Sequence, residues 1–114
     1  MYKVIKSVEV ELVRTYPTRN DPKAKTETYR GRIGTGVRTS DSYKVFGYVH
    51  PHYPEEITHM CYGLEYFEPE VVLNHTKNLA DGWFYFDAGS SMPAIKISYD
   101  ELKRAFIELG LLDA

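Results

Sequence analysis

The side chains able to ligate a metal or act as nucleophiles gather in the middle of the chain: His50, His52, Glu56, His59, Cys61 and His75. His50 and His52 lie two residues apart, so an extended segment aims both imidazoles to one side. Glu56 adds a carboxylate four residues on. Nitrogen and oxygen donors with open positions suit a divalent transition metal such as iron, manganese or nickel. Cys61 follows His59 at a strand spacing, the arrangement of a thiol beside a base. Its neighbours are aromatic, however, which predicts a buried, inert thiol. With a single cysteine, neither an internal disulfide nor a C-x-x-C pair is possible. No G-x-S-x-G elbow and no P-loop occurs, so no catalytic constellation is complete and no catalytic residue is assigned.

The string His50-x-His52-x3-Glu56-x6-Gly63 resembles part of the first cupin motif. In that family two histidines and a glutamate on neighbouring strands of a small β-barrel bind a divalent metal. The resemblance spans residues 50–63 and implies a metal-dependent enzyme or metal-binding domain with His50, His52 and Glu56 as ligands. Lys44 stands where the family has a glycine. The second motif, which supplies a further histidine after Pro-x-Gly, is absent, although Asp81-Gly82 and the following Trp83-Phe84-Tyr85-Phe86, with Gly89, have its general look. Met92 stands near the position of its histidine, which leaves His59 or His75 as substitutes. A proline-bounded loop whose histidines face water is the simpler expectation, so the leading assignment has no metal. Gly31-Arg32-Ile33-Gly34 similarly resembles the G-x-x-G clamp of KH domains, which joins two helices. Here it falls in a strand pattern, where glycine marks a bulge or a close approach of another backbone.

Charge divides the chain. Residues 1–44 hold ten Lys/Arg against five Asp/Glu, and residues 45–114 hold four against eleven. A basic half with Tyr16, Tyr29 and Tyr43 to stack on bases, and Arg30, Arg32 and Arg38 to hold phosphates, is one route to nucleic-acid binding. Basic and acidic strands that neutralise one another side by side are the plainer expectation. The first residues alternate apolar and polar, unlike a signal peptide, and no stretch approaches a membrane span. One cysteine and no leader pattern point to a reducing, cytoplasmic setting.

The elements that position these groups are mostly strands. Residues 2–16 alternate, with Tyr2, Val4, Val8, Val10 and Leu12 on one face. Residues 26–39 alternate again around a polar turn at Pro17–Pro22. Pairing about Asn20-Asp21 makes facing residue numbers sum to 41. That puts Leu12 on Tyr29, Val8 on Ile33 and Val4 on Val37, with Glu11 on Arg30 and Glu9 on Arg32. Slipping this register by one residue would spoil both faces. Further strands are expected at 43–49, 57–67, 82–87 and 95–97, while 69–79 fits either a Pro69-led helix or a strand. Ser98-Tyr99-Asp100-Glu101 has the pattern of a capping box. It opens a helix over about 99–109 that buries Leu102, Ala105, Phe106 and Leu109 and ends at Gly110.

The fold expected is α+β: one domain over 1–114, with a curved antiparallel sheet of about five to seven strands, an N-terminal hairpin and one C-terminal helix. The aromatic segments Met60-Cys61-Tyr62, Tyr66-Phe67 and Trp83–Phe86 are apolar on both strand faces, so each is covered twice, by the fold or by a partner. The leading function is therefore a non-catalytic interaction protein, a homodimer or the partner of another protein. Its candidate surface is Tyr62, Tyr66, Phe67, Trp83 and Tyr85.

Overall fold

The computed structural model describes residues 2–16, 25–57, 61–86 and 94–114. The expected turn at Pro17–Pro22, together with His59, Met60, Gly89 and Met92, lies outside them. In chain order the elements are β1 (Tyr2–Tyr16), β2 (Lys25–Val37), β3 (Lys44–Val49), β4 (Glu56–Ile57), β5 (Cys61–Gly63), α1 (Pro69–Asn78), β6 (Trp83–Phe86), β7 (Ala94–Ser98) and α2 (Tyr99–Glu108). All strands join one antiparallel sheet ordered β5-β3-β2-β1-β7-β6, with β4 paired to the start of β1. The architecture is the expected α+β one.

The hairpin pairs as its charges and apolar residues require, but only from Lys6 onward. Lys6↔Thr35 through Tyr16↔Lys25 keep the register in which partner numbers sum to 41, with Leu12 on Tyr29 and Glu11 on Arg30. Nearer the N-terminus the register shifts, and Val4 faces Gly36 rather than Val37. The bulge between Val4 and Lys6 adds one residue to β1, and an added residue reverses which face its neighbours take. Val8, Val10 and Leu12 therefore enter the main core, whereas Tyr2 and Val4 join a separate cluster with Val45, Val49, Ile57, Tyr43 and Cys61. The single apolar face expected for Tyr2 through Leu12 is thus two faces. Gly34 sits against the bulge, where a Cβ would come within 2.5 Å of the Lys6 carbonyl oxygen. The glycines of the G-x-x-G string serve strand packing.

The main core lies on the concave side. Val8, Val10, Leu12, Ile33, Phe46 and Tyr48 of the sheet meet Leu102, Ala105, Phe106 and Leu109 of α2. Phe106 is fully buried and meets Phe46 edge-on with ring centroids 5.3 Å apart. Ser98 caps α2 by accepting the Glu101 backbone N–H at 3.3 Å. The box is not reciprocal. The Glu101 carboxylate instead accepts the Glu11 backbone N–H at 2.8 Å and binds Arg104, whose guanidinium donates to the Glu9 carbonyl at 3.0 Å. Between its pairings with β4 and β7, β1 shows backbone groups on that edge, and this ion pair satisfies two of them. At the other end Gly110, at φ 77°, allows the Leu111 and Gly110 amides to bond Phe106 and Ile107 carbonyls, a Schellman closure.

Residues 57–67 do not form one strand. Beyond Gly63 the Tyr66 and Phe67 amides both donate to the Gly63 carbonyl, so 64–67 is a turn. Residues 69–79 resolve as α1, with Pro69 in its first turn and Val72, Leu73 and Thr76 buried. The sheet curls until its end strands meet. The Tyr62 hydroxyl of β5 donates to the Tyr85 carbonyl of β6 at 3.0 Å, and its ring packs on Phe84 and Phe86. No helix among the described residues is long and apolar enough to cross a membrane.

Candidate functional site

The turn at 64–67, closed by the Tyr66 and Phe67 amides on the Gly63 carbonyl, carries its two aromatic side chains at the surface. Tyr66 is 74% exposed and Phe67 43% exposed, while Val71, one turn into α1, is 57% exposed. With Val72, His75 and Phe84 they line a groove of about 380 Å³ between the turn, α1 and β6. Scattered apolar residues are normal on a surface, but three large ones around one concavity are not. Glu65, Glu68 and Glu70 are exposed around it, and no Lys or Arg occurs from Cys61 to Thr76. The site is an apolar slot in an acidic neighbourhood.

The other candidate surface residues divide. Tyr62 is half-buried and holds the seam from inside, with its ring 5.1 Å from Phe67 and 5.4 Å from Phe46. It supports the groove from beneath. Trp83 and Tyr85 point away from Phe84 and Phe86, onto the outer side of β6, where the Lys96 ammonium lies 4.5 Å from the Trp83 ring and 5.8 Å from that of Tyr85. Tyr85 donates to Asp81, and that bond lowers the Asp81 carboxyl and raises the Tyr85 phenol. Tyr66 and Phe67 therefore form one surface, and Trp83 and Tyr85 another.

Val71, Val72, His75 and Phe84 complete the groove; the sequence marked His75 only as a candidate ligand and Phe84 only as part of an aromatic strand, and neither valine as a site residue. Glu68-Pro69-Glu70 carried the signal, since proline favours the first helical position and acid the first turn. The Val71-Val72-Leu73 run obscured it, because β-branched residues favour strands.

The histidine string does not assemble a metal centre in the described residues. His50 and His52 share the loop after β3, with rings 5.3 Å apart, and His50 Nδ1 accepts the His52 backbone N–H at 3.1 Å. Glu56 lies in β4 opposite Lys3. No three His, Cys, Asp or Glu side chains among the described residues could hold an ion together. Cys61 is half-buried, and burial raises its thiol. A raised thiol is a poor nucleophile at neutral pH.

The basic stripe is largely neutralised. Arg30 pairs with Glu9, Arg14 with Glu27 and Arg38 with Asp41. Tyr43 packs into the second cluster, and the Tyr29 hydroxyl lies 3.2 Å from that of Tyr48. Compared with known protein families, curated proteins and solved structures, the chain matches none.

Proposed function

We propose that this chain is a non-catalytic interaction domain that binds a protein partner through the aromatic groove of Tyr66, Phe67 and Val71. One observation carries the reading: three exposed large apolar side chains converge on a single concave site. Interface anchors are large apolar or aromatic groups in pockets, surrounded by contacts that exclude water. The glutamates around the groove favour a partner segment with an apolar anchor flanked by Lys or Arg, since complementary charge steers encounter and rejects wrong partners. A single cysteine, which allows no internal disulfide, fits a reducing, cytoplasmic setting.

The test starts with a partner isolated from an extract of the cells that make the protein, then purified and titrated against it. Replacing Tyr66, Phe67 and Val71 together by serine should weaken binding about 30-fold or more, the equivalent of about 2 kcal/mol. Tyr66 and Val71 are mostly exposed, so their double serine variant should melt close to the parent and still bind more weakly, whereas Phe67 packs on Tyr62 and its loss should lower Tm. A partner bound equally well by parent and variant would refute the groove as the site.

A further inference from the structure

A second surface lies away from the groove and has opposite charge. β2 runs from Lys25 to Val37, but its pairing with β3 stops at Arg32↔Val49. On the other side β1 stays paired all the way to Lys25. Lys25 to Gly31 therefore have a strand neighbour on one side only, among the described residues. The chain leaves the vacant row because Pro51 and Pro54 follow Val49 closely, and proline cannot donate to a ladder. The Tyr53 amide then bonds the His50 carbonyl and the Glu56 amide the Tyr53 carbonyl, turning the chain toward β4.

A cleft of about 570 Å³ occupies this place, reaching from Tyr29 and Tyr48 on the core side to Arg30 and Arg32 on the outer side. Arg14, Arg30 and Arg32 line it together with Glu9, and two of these cations already have a carboxylate, Arg14 with Glu27 and Arg30 with Glu9. Arg32 differs from the others. Its guanidinium donates to the Ser7 hydroxyl at 2.9 Å and the Ser7 carbonyl at 3.1 Å, both neutral oxygens. An arriving carboxylate can join Arg32 without displacing another, and charge-assisted bonds are the stronger kind.

We propose that the open edge of β2 beside Arg32 takes an extended acidic protein segment, which adds to the sheet as a strand. Strand addition draws affinity from main-chain hydrogen bonds and specificity from alternate side chains. Here those side chains would be acidic on the Arg30–Arg32 face. A peptide fits better than a nucleic-acid strand, because the Arg14 guanidinium lies 4.1 Å over the Tyr29 ring and covers the face a base would stack on. This site is independent of the aromatic groove.

The experiment titrates the isotope-labelled protein with a capped peptide alternating glutamate with valine, as long as the open edge, while following its amide signals. Strand addition should shift and protect every second amide from Lys25 to Gly31, since alternate residues direct their N–H groups to the free edge. Arg32→Ala should weaken the peptide about tenfold or more without altering the fold. The lysine-for-glutamate peptide should bind far more weakly, and the triple groove variant should bind the acidic peptide like the parent. Unmoved amides at 25–31 would overturn the proposal. So would equal affinity for both peptides, preference for an oligothymidylate, or an edge already filled by a second copy, seen as a doubled mass in solution.

Discussion

Gly34→Ala tests whether the β1 bulge governs the packing of the hairpin. The new methyl would lie 2.5 Å from the Lys6 carbonyl oxygen and 3.1 Å from Ser7 Cβ. The closest obstacle is backbone, held by the sheet on both sides of the bulge, so it cannot swing away as a side-chain tip would. Overpacking typically costs about 1–3 kcal/mol. Replacing glycine by alanine restrains the unfolded chain and returns roughly 0.4–1 kcal/mol. An approach of 2.5 Å to backbone belongs to the upper half of the overpacking range, about 2–3 kcal/mol. A net loss of about 1–2.6 kcal/mol remains, which for 114 residues at an unfolding entropy of about 0.24 kcal/mol/K lowers Tm by roughly 4–11 °C. Gly82, at φ 68°, provides the contrast, because a methyl added there would meet nothing within 4 Å. There the cost is backbone conformation, so Gly82→Asn should recover most of what Gly82→Ala loses. At Gly34 asparagine should be worse than alanine, because the obstacle is space. Thermal unfolding by circular dichroism gives all four numbers. Gly34→Ala melting within a degree of the parent would refute the close approach and with it the bulge.

Phe106→Ala should destabilise by about 3–5 kcal/mol in denaturant titration, as the loss of a fully buried aromatic does. Ser98→Ala should cost about 1 kcal/mol through the lost cap, and Arg32→Ala less than about 1 kcal/mol, because the residue is exposed. Glu101 has its carboxyl lowered, first by the Arg104 hydrogen bond and then by the Glu11 amide. The folded value lies below the unfolded one, so its stabilisation is full above about pH 4.5 and is lost as pH falls through the folded value. Tm measured from pH 3 to 7 should therefore fall less steeply at the acid end for Glu101→Gln; an unchanged acid limb would count against the bonds of the Glu101–Arg104 pair to the β1 backbone.

Local order was legible wherever near neighbours in sequence decide it. Ser98, the Leu102-Ala105-Phe106-Leu109 spacing and Gly110 determine α2 from start to closure, because capping and amphipathic periodicity are properties of one turn and the next. The hairpin register was legible too, since opposite charges and apolar residues both select it over a one-residue slip. Three features depended on distant segments. The bulge at Ile5 arises where Ile57 and the β3 valines offer Tyr2 and Val4 a second apolar face, which alternation along β1 cannot reveal. Glu101 abandons the reciprocal cap because an unpaired stretch of β1, some ninety residues away in sequence, presents a backbone amide to it. The groove likewise exists only because the sheet curls enough for Tyr62 to bridge to β6, bringing the 64–67 turn, α1 and Phe84 together. Side-chain type set what each residue could do, but the meeting of non-consecutive strands decided which of them share a surface.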